Sequence, residues 1–147
     1  MAPFIMLVGS FLLFRLAGYL GWAFFDDWTT SLRFAVALMF LLTASAHWGK
    51  RRPDLIRMVP PAFPKPERIV TITGWLEIAG AIGIVIPATA PYAAAGLALL
   101  LAAMFPANVH AARQRLTLGG KPVTPLIPRT VLQLVFLAAV LLAGFTG

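Results

Sequence analysis

Five polar side chains stand out in an otherwise lipid-like chain: Glu77, His47, His110, Asn108 and Arg15. Of 147 residues 60% are hydrophobic and the mean hydropathy is +0.87, far above a soluble composition. A charged group near the centre of a bilayer is costly. It therefore faces a bundle interior or a cavity and marks a candidate functional site. Glu77 is the sharpest case, in the stretch T-G-W-L-E-I-A-G-A-I-G over residues 73–83. Gly74, Gly80 and Gly83 around it let neighbouring helices come close. A carboxylate here can accept or relay a proton. Imidazoles and an amide can donate hydrogen bonds to a ligand's oxygens. Together they suit a quinone or quinol head group, which needs donors at two oxygens and a proton path on reduction. Phe40, Phe105, Trp48 and Trp75 could flank a flat ring, and Trp75 and Arg15 join the ligand-binding candidates.

Other chemistries fit less well. The chain has no cysteine, which excludes thiolate nucleophiles, disulfide exchange and Cys-ligated zinc or iron–sulfur clusters. His47 and His110 sit at matching depth on different helices, the arrangement of bis-histidine haem. With no repeated His pair and no group to orient either ring, quinone is the preferred cofactor and haem is not. Two imidazoles and one distant carboxylate do not make a tetrahedral zinc site, so no metal is expected. The net charge of +7 comes without a nucleic-acid-binding motif. Basic loops on a membrane protein mostly set orientation, so membrane lipid and not nucleic acid is the expected partner.

The elements that must carry these groups are membrane helices. Residues 3–25 form a first apolar run broken by Arg15. No Lys or Arg precedes it and no small-residue cleavage pattern follows, so it reads as a retained span. Asp26, Asp27 and Trp28 end it at an interface. A second helix covers 31–48, with Ala37, Phe40, Thr43 and His47 along one face. Residues 53–66, P-D-L-I-R-M-V-P-P-A-F-P-K-P, are too short and too proline-rich to span. They read as about two turns of interfacial helix and a proline-fixed loop, a spacer or a lid over the adjoining helix ends. The third helix, 67–86, puts Thr73, Gly74, Glu77, Gly80 and Ala81 on one face and Ile72, Trp75, Leu76 and Ile82 on the other. The fourth, 91–116, carries Asn108 and His110 in roughly opposed directions, with Pro106 expected to bend it. The fifth is 129–146, with Gln133 as its one amide.

Charge sets the orientation. Lys50, Arg51, Arg52, Arg57, Lys65 and Arg68 lie between the second and third helices, and Arg113, Arg115, Lys121 and Arg129 between the fourth and fifth. With five spans both loops share a side, so the positive-inside rule predicts a cytoplasmic amino terminus and an outside carboxyl terminus. His47 and His110 then lie just inside the cytoplasmic boundary. Glu77 lies about 13 Å beyond Arg68, near the midplane, and Arg15 is expected at a similar depth. Arg15 could pair with Glu77, each offsetting the other's desolvation, or both could meet a ligand.

The segment from Leu32 to Gly144 resembles the DoxX-like membrane proteins. The similarity rests on A-S-A-H after the second apolar run, R-M-V-P-P-A-F-P in the loop, T-G-W-L-E-I-A-G-A-I-G, and F-P-A-N-V-H in the fourth helix. The resemblance implies an all-α bundle with a four-helix core, here with an extra amino-terminal helix, in a bacterial-type inner membrane. It also implies that Glu77 is a core position and that His47, Asn108 and His110 are pocket candidates. Members include a subunit linked to thiosulfate:quinone oxidoreduction, with a distant likeness to animal proteins that assist nicotinic-receptor assembly. The expected function is a quinone-binding, redox-associated subunit, a component of a quinone-linked oxidoreductase if an enzyme at all. Electrons would come from a redox partner protein or a bound cofactor. The alternatives are an assembly factor docking client membrane proteins and a carrier working as a homo-oligomer.

Overall fold

The computed structural model describes residues 2–146. Five helices are long and apolar enough to cross a membrane, which makes the chain a multi-pass membrane protein. These are α1 (Ala2–Tyr19), α2 (Trp28–Ser45), α4 (Pro66–Val85), α5 (Ala90–Arg113) and α6 (Leu126–Phe145). A short α3 (Arg52–Met58) precedes the proline-rich loop, and two-residue strands β1 (Thr117–Leu118) and β2 (Lys121–Pro122) form a hairpin between α5 and α6. Gly119 and Gly120 turn that hairpin with φ of 60° and 80°, the left-handed conformation a two-residue turn requires.

The all-α bundle is organised around α2, which packs against α1, α4 and α6, while α5 closes the ring between α4 and α6. Ala35, Val36, Met39 and Phe40 of α2 meet Ala81 and Ile84 of α4, Ala94 and Leu97 of α5, and Val140 and Ala143 of α6 in one buried cluster. Lipid tails are as apolar as these side chains, so close packing, not water exclusion, holds such a core. Small residues make the closeness possible. A Cβ on Gly80 would strike the end of Leu97, and one on Gly144 would strike the Cβ of Ala94. The large apolar side chains on the outside, including Leu12, Leu13, Ile72, Trp75, Leu99 and Leu134, are exposed and form the lipid-facing surface.

Local chemistry fixes the helix ends, and several differ from those expected. The first run does not continue to residue 25; α1 stops at Tyr19 and Gly21 turns the chain at φ 122°. Residues Ala23–Phe25 then fold back as a 3₁₀ turn. Phe25 stacks on Phe14 with centroids 4.6 Å apart and meets Trp22, Phe24 and Phe34 edge-on. Asp27 caps the start of α2, accepting from the Thr29 amide at 3.2 Å. Thus α2 begins three residues before the expected 31 and ends at Ser45, which leaves His47 in the following turn. Pro106 sits within α5, which continues through it to Arg113.

The two basic loops pack against each other at one end of the bundle. The Gly119 amide donates to Asp54 Oδ2 at 3.0 Å, and Asp54 also pairs with Arg57. Arg52 joins the same end together. Its guanidinium donates to the His47 carbonyl at 2.8 Å, the Glu67 carbonyl at 3.0 Å and the Thr71 hydroxyl at 2.9 Å.

Candidate functional site

His47 and Glu77 meet in the bundle interior. His47 is 4% exposed and Glu77 3%, so neither is solvated. His47 reaches Glu77 because the turn after α2 lies directly on α4. A Cβ on Gly74 would come within 2.7 Å of the Trp48 ring and 2.9 Å of His47 Cβ. Only glycine admits that approach. The Val70 carbonyl then lies 2.7 Å from His47 Nδ1. A carbonyl can only accept, so Nδ1 carries the proton. The Thr73 hydroxyl sits 3.4 Å from the same nitrogen and donates to the Ile69 carbonyl at 2.8 Å.

The other ring nitrogen, Nε2, lies 3.2 Å from Glu77 Oε2. With Nδ1 fixed as a donor, this contact is favourable only when one proton is shared between Nε2 and Oε2. Either a neutral carboxyl faces a neutral imidazole, or a carboxylate faces an imidazolium. The contact lacks hydrogen-bond alignment, so Oε2 is a buried oxygen with no hydrogen bond of its own. Burial lowers the His47 pKa. Contact with Glu77 and its charge, with the Val70 carbonyl, outweigh this and hold it above the ordinary 6.5.

Beside the pair lies a cavity of about 280 Å³. Its walls come from α3 and the loop after it (Leu55, Met58, Phe63), from α4 (Ile69, Val70, Thr73) and from α5 (Ala103, Met104, Ala107), with His47 at one side. Its polar side chains are His47, Thr73 and Asn108. Ala103, Pro106 and Phe63 are exposed to the outside of the chain, so the cavity opens at the outer surface of the bundle. Asn108 is not free to rotate. Arg129, in the first turn of α6, donates to its Oδ1 at 2.9 Å and to the Thr124 carbonyl at 3.2 Å.

Of the residues singled out from the sequence, His47 and Glu77 are brought together, and His47 and Asn108 share the cavity. The proline-rich segment covers it as a lid would. The rest are elsewhere. Arg15 does not reach mid-bundle and does not pair with Glu77; its guanidinium donates to the Phe25 carbonyl at 3.3 Å and the Asp26 carbonyl at 2.8 Å. Because α1 ends at Tyr19, Arg15 lies in its last turns, at the end of α2 opposite His47. Trp75 is 61% exposed on the lipid face, edge-on to Trp48 at 5.2 Å. His110 lies two residues past Asn108 on α5 and lines no part of the cavity. Arg52 and Arg129 were not singled out, since each read only as a loop charge. Their partners are mostly backbone carbonyls, which leave no signature in residue types. Gln133 is similar: it is buried and donates to the Leu101 carbonyl at 2.9 Å, beside the carbonyl that Pro106 leaves unpaired. Among the described residues no group of three or more His, Asp or Glu is placed to hold a metal ion.

The fold and the site together define a multi-pass helical membrane protein with a buried His–Glu pair beside a cavity that opens at the bundle surface. The family described as a domain of unknown function (DUF8561) matches residues 36–143, most of the chain, and the protein belongs to that family. The match starts inside α2, so α1 lies outside the family's common part. No curated protein and no solved structure matches the chain.

Proposed function

We propose that the protein binds the head group of a quinone-like lipid in the cavity beside His47 and serves as a redox-associated membrane subunit of DoxX-like type. The observation that carries this reading is the buried His47–Glu77 contact at the cavity wall. A buried imidazole forms part of the cavity wall while its inner nitrogen meets a carboxyl held out of water. Such a pair can pass a proton to a bound oxygen. Nδ1–H turns from the Val70 carbonyl to the ligand, and Nε2 takes the replacement proton from Glu77. Reducing a quinone to the quinol takes two electrons, which come from a redox partner protein. It also takes two protons, one through this pair and one from water at the basic end, which also reprotonates Glu77.

The cavity size agrees. Small-molecule pockets run from about 300 to 1,000 Å³, so about 280 Å³ takes a ring and leaves an isoprenoid tail in the bilayer. The opening at Ala103, Pro106 and Phe63 gives the tail its exit. The ten basic residues at this end put it in the cytoplasm by the positive-inside rule, with the amino terminus inside and the carboxyl terminus outside. An assembly-factor role finds less support, because Glu77 faces His47 and offers a client helix nothing.

The test is purification in mild detergent, lipid extraction and mass spectrometry for isoprenoid quinones, followed by titration with a short-chain quinone. Co-purifying quinone, and binding blocked by Ala107→Phe in the cavity wall, are the expected results. If no quinone co-purifies and added quinone binds equally well to Ala107→Phe, the reading falls.

A further inference from the structure

The fixed amide at the α5 side of the cavity bears on which redox form is bound, given the quinone-site reading above. Asparagine carries an acceptor and a donor at nearly interchangeable positions, and its orientation decides which one a ligand meets. Here a neighbour decides it. A guanidinium has no acceptor, so the Asn108 atom 2.9 Å from Arg129 is the carbonyl oxygen. Arg129 is itself held by the Thr124 carbonyl and is partly buried at the foot of α6. The Asn108 Nδ2 is left over, and among the described residues no protein group accepts from it. The other polar side chains of the cavity lie on the α2 and α4 side: the Thr73 hydroxyl donates to the Ile69 carbonyl, and His47 Nδ1 donates to the Val70 carbonyl until it turns to a ligand. The Asn108 side chain therefore offers the cavity an N–H donor from the α5 side.

We propose that Arg129 is a positioning residue that locks the Asn108 amide with its N–H toward the cavity, making the site selective for a carbonyl oxygen and hence for the oxidised ring over the hydroxyl-bearing reduced one. A hydroxyl can accept from Nδ2, but it must also place its own proton on a second acceptor, whereas a carbonyl has no proton to place. A carbonyl leaves nothing unpaired. A site built to satisfy a ligand group discriminates against an analogue that leaves a buried polar atom without a partner.

Asn108→Asp isolates the donor. It keeps an oxygen for Arg129 and the same shape, and it replaces the N–H by an acceptor. Binding of a short-chain quinone and of its quinol is measured by fluorescence quenching under matched oxidising and reducing conditions, for the wild type, Asn108→Asp, Arg129→Met and Ala107→Phe. The wild type should prefer the quinone. Asn108→Asp should weaken quinone binding about tenfold or more, the equivalent of one hydrogen bond, and invert the preference toward quinol. Arg129→Met frees the amide to turn and should bring the two affinities together. If Asn108→Asp leaves the quinone-to-quinol ratio unchanged while Ala107→Phe abolishes binding, the cavity reading stands and this inference is overturned. If Ala107→Phe changes neither ligand's binding, the cavity reading itself fails. Thermal unfolding of each variant in detergent identifies one that has lost its fold. A misfolded variant loses both ligands together and cannot reproduce an inverted ratio.

Discussion

At the scale of single residues, the His47–Glu77 pair makes the sharpest stability statement. Glu77 cannot stay charged in the bundle without a partner, and His47 is the one within reach. His47→Leu should therefore destabilise more than Glu77→Gln, by about 3–5 kcal/mol against about 1–2, because it strands a buried carboxyl. The double variant should cost less than the sum, as measured by unfolding in mixed detergent micelles. The pH dependence has a definite sign. His47 is held above its ordinary 6.5, so it binds a proton more tightly folded than unfolded. The stabilisation is complete below the unfolded value and is lost as pH rises through the folded one. The wild type should thus lose more stability than Glu77→Gln as pH rises above His47's ordinary 6.5. Equal losses in the two proteins would remove Glu77 as the cause. Glu77 and His47 were legible as residues because an ionisable group in an apolar run is rare. Their meeting was not. It depends on the Gly74 contact and on the Val70 carbonyl, neither of which spacing reveals. Arg15 was misplaced because its depth was counted along a helix that stops six residues earlier than its apolar composition suggests.

At the scale of elements, five apolar runs became five helices, and the interfacial two-turn helix in the proline-rich segment is α3. The helix ends were less legible. Phe24 and Phe25 are as apolar as any span residue, yet they belong to a folded-back turn that packs on α1. Hydropathy reports what a residue tolerates, and the cap at Asp27 and the left-handed Gly21 report where the backbone turns. The small-residue faces also separate into kinds that sequence does not distinguish. A Cβ on Gly80 would strike Cδ2 and Cγ of Leu97, a fully buried side chain that must repack, whereas one on Gly144 would strike the Cβ of Ala94 and come within 3.0 Å of the Ala90 carbonyl, which only a backbone shift relieves. Adding one methyl at each should therefore have unequal costs. Gly80→Ala should cost about 1 kcal/mol as Leu97 repacks, while Gly144→Ala must push α5 and α6 apart and cost more, about 2–3 kcal/mol. Thermal unfolding of the two variants side by side checks the order. A Gly80→Ala protein less stable than Gly144→Ala would show that Leu97 has no room to move.

At the scale of the whole molecule, the asymmetry of charge is built into the packing and is not only a count. Ten of the twelve Lys and Arg residues lie on or beside the two loops that meet through Asp54 and Gly119, and Asp26 and Asp27 lie at the other end. Because the loops touch, they share one side of the membrane, and α2, α4, α5 and α6 alternate between the two sides. The site inherits that polarity, since His47, the lid and Asn108 all belong to the basic end. The positive-inside rule predicts that end in the cytoplasm, with the amino terminus inside and the carboxyl terminus outside. A phosphatase active only outside, fused after residue 147, should therefore be active, and a fluorescent protein that matures only in the cytoplasm should be dark there. The reverse pattern would turn the cavity to the outside. The proton transfer and the redox partner proposed above would then belong to the opposite compartment. Replacing Lys50, Arg51 and Arg57 together by Gln tests the cause. It removes three of the ten charges and leaves Arg52's clamp on His47 intact. A mixed reporter signal is expected if the charges set the orientation, and an unchanged one if the apolar helices set it alone.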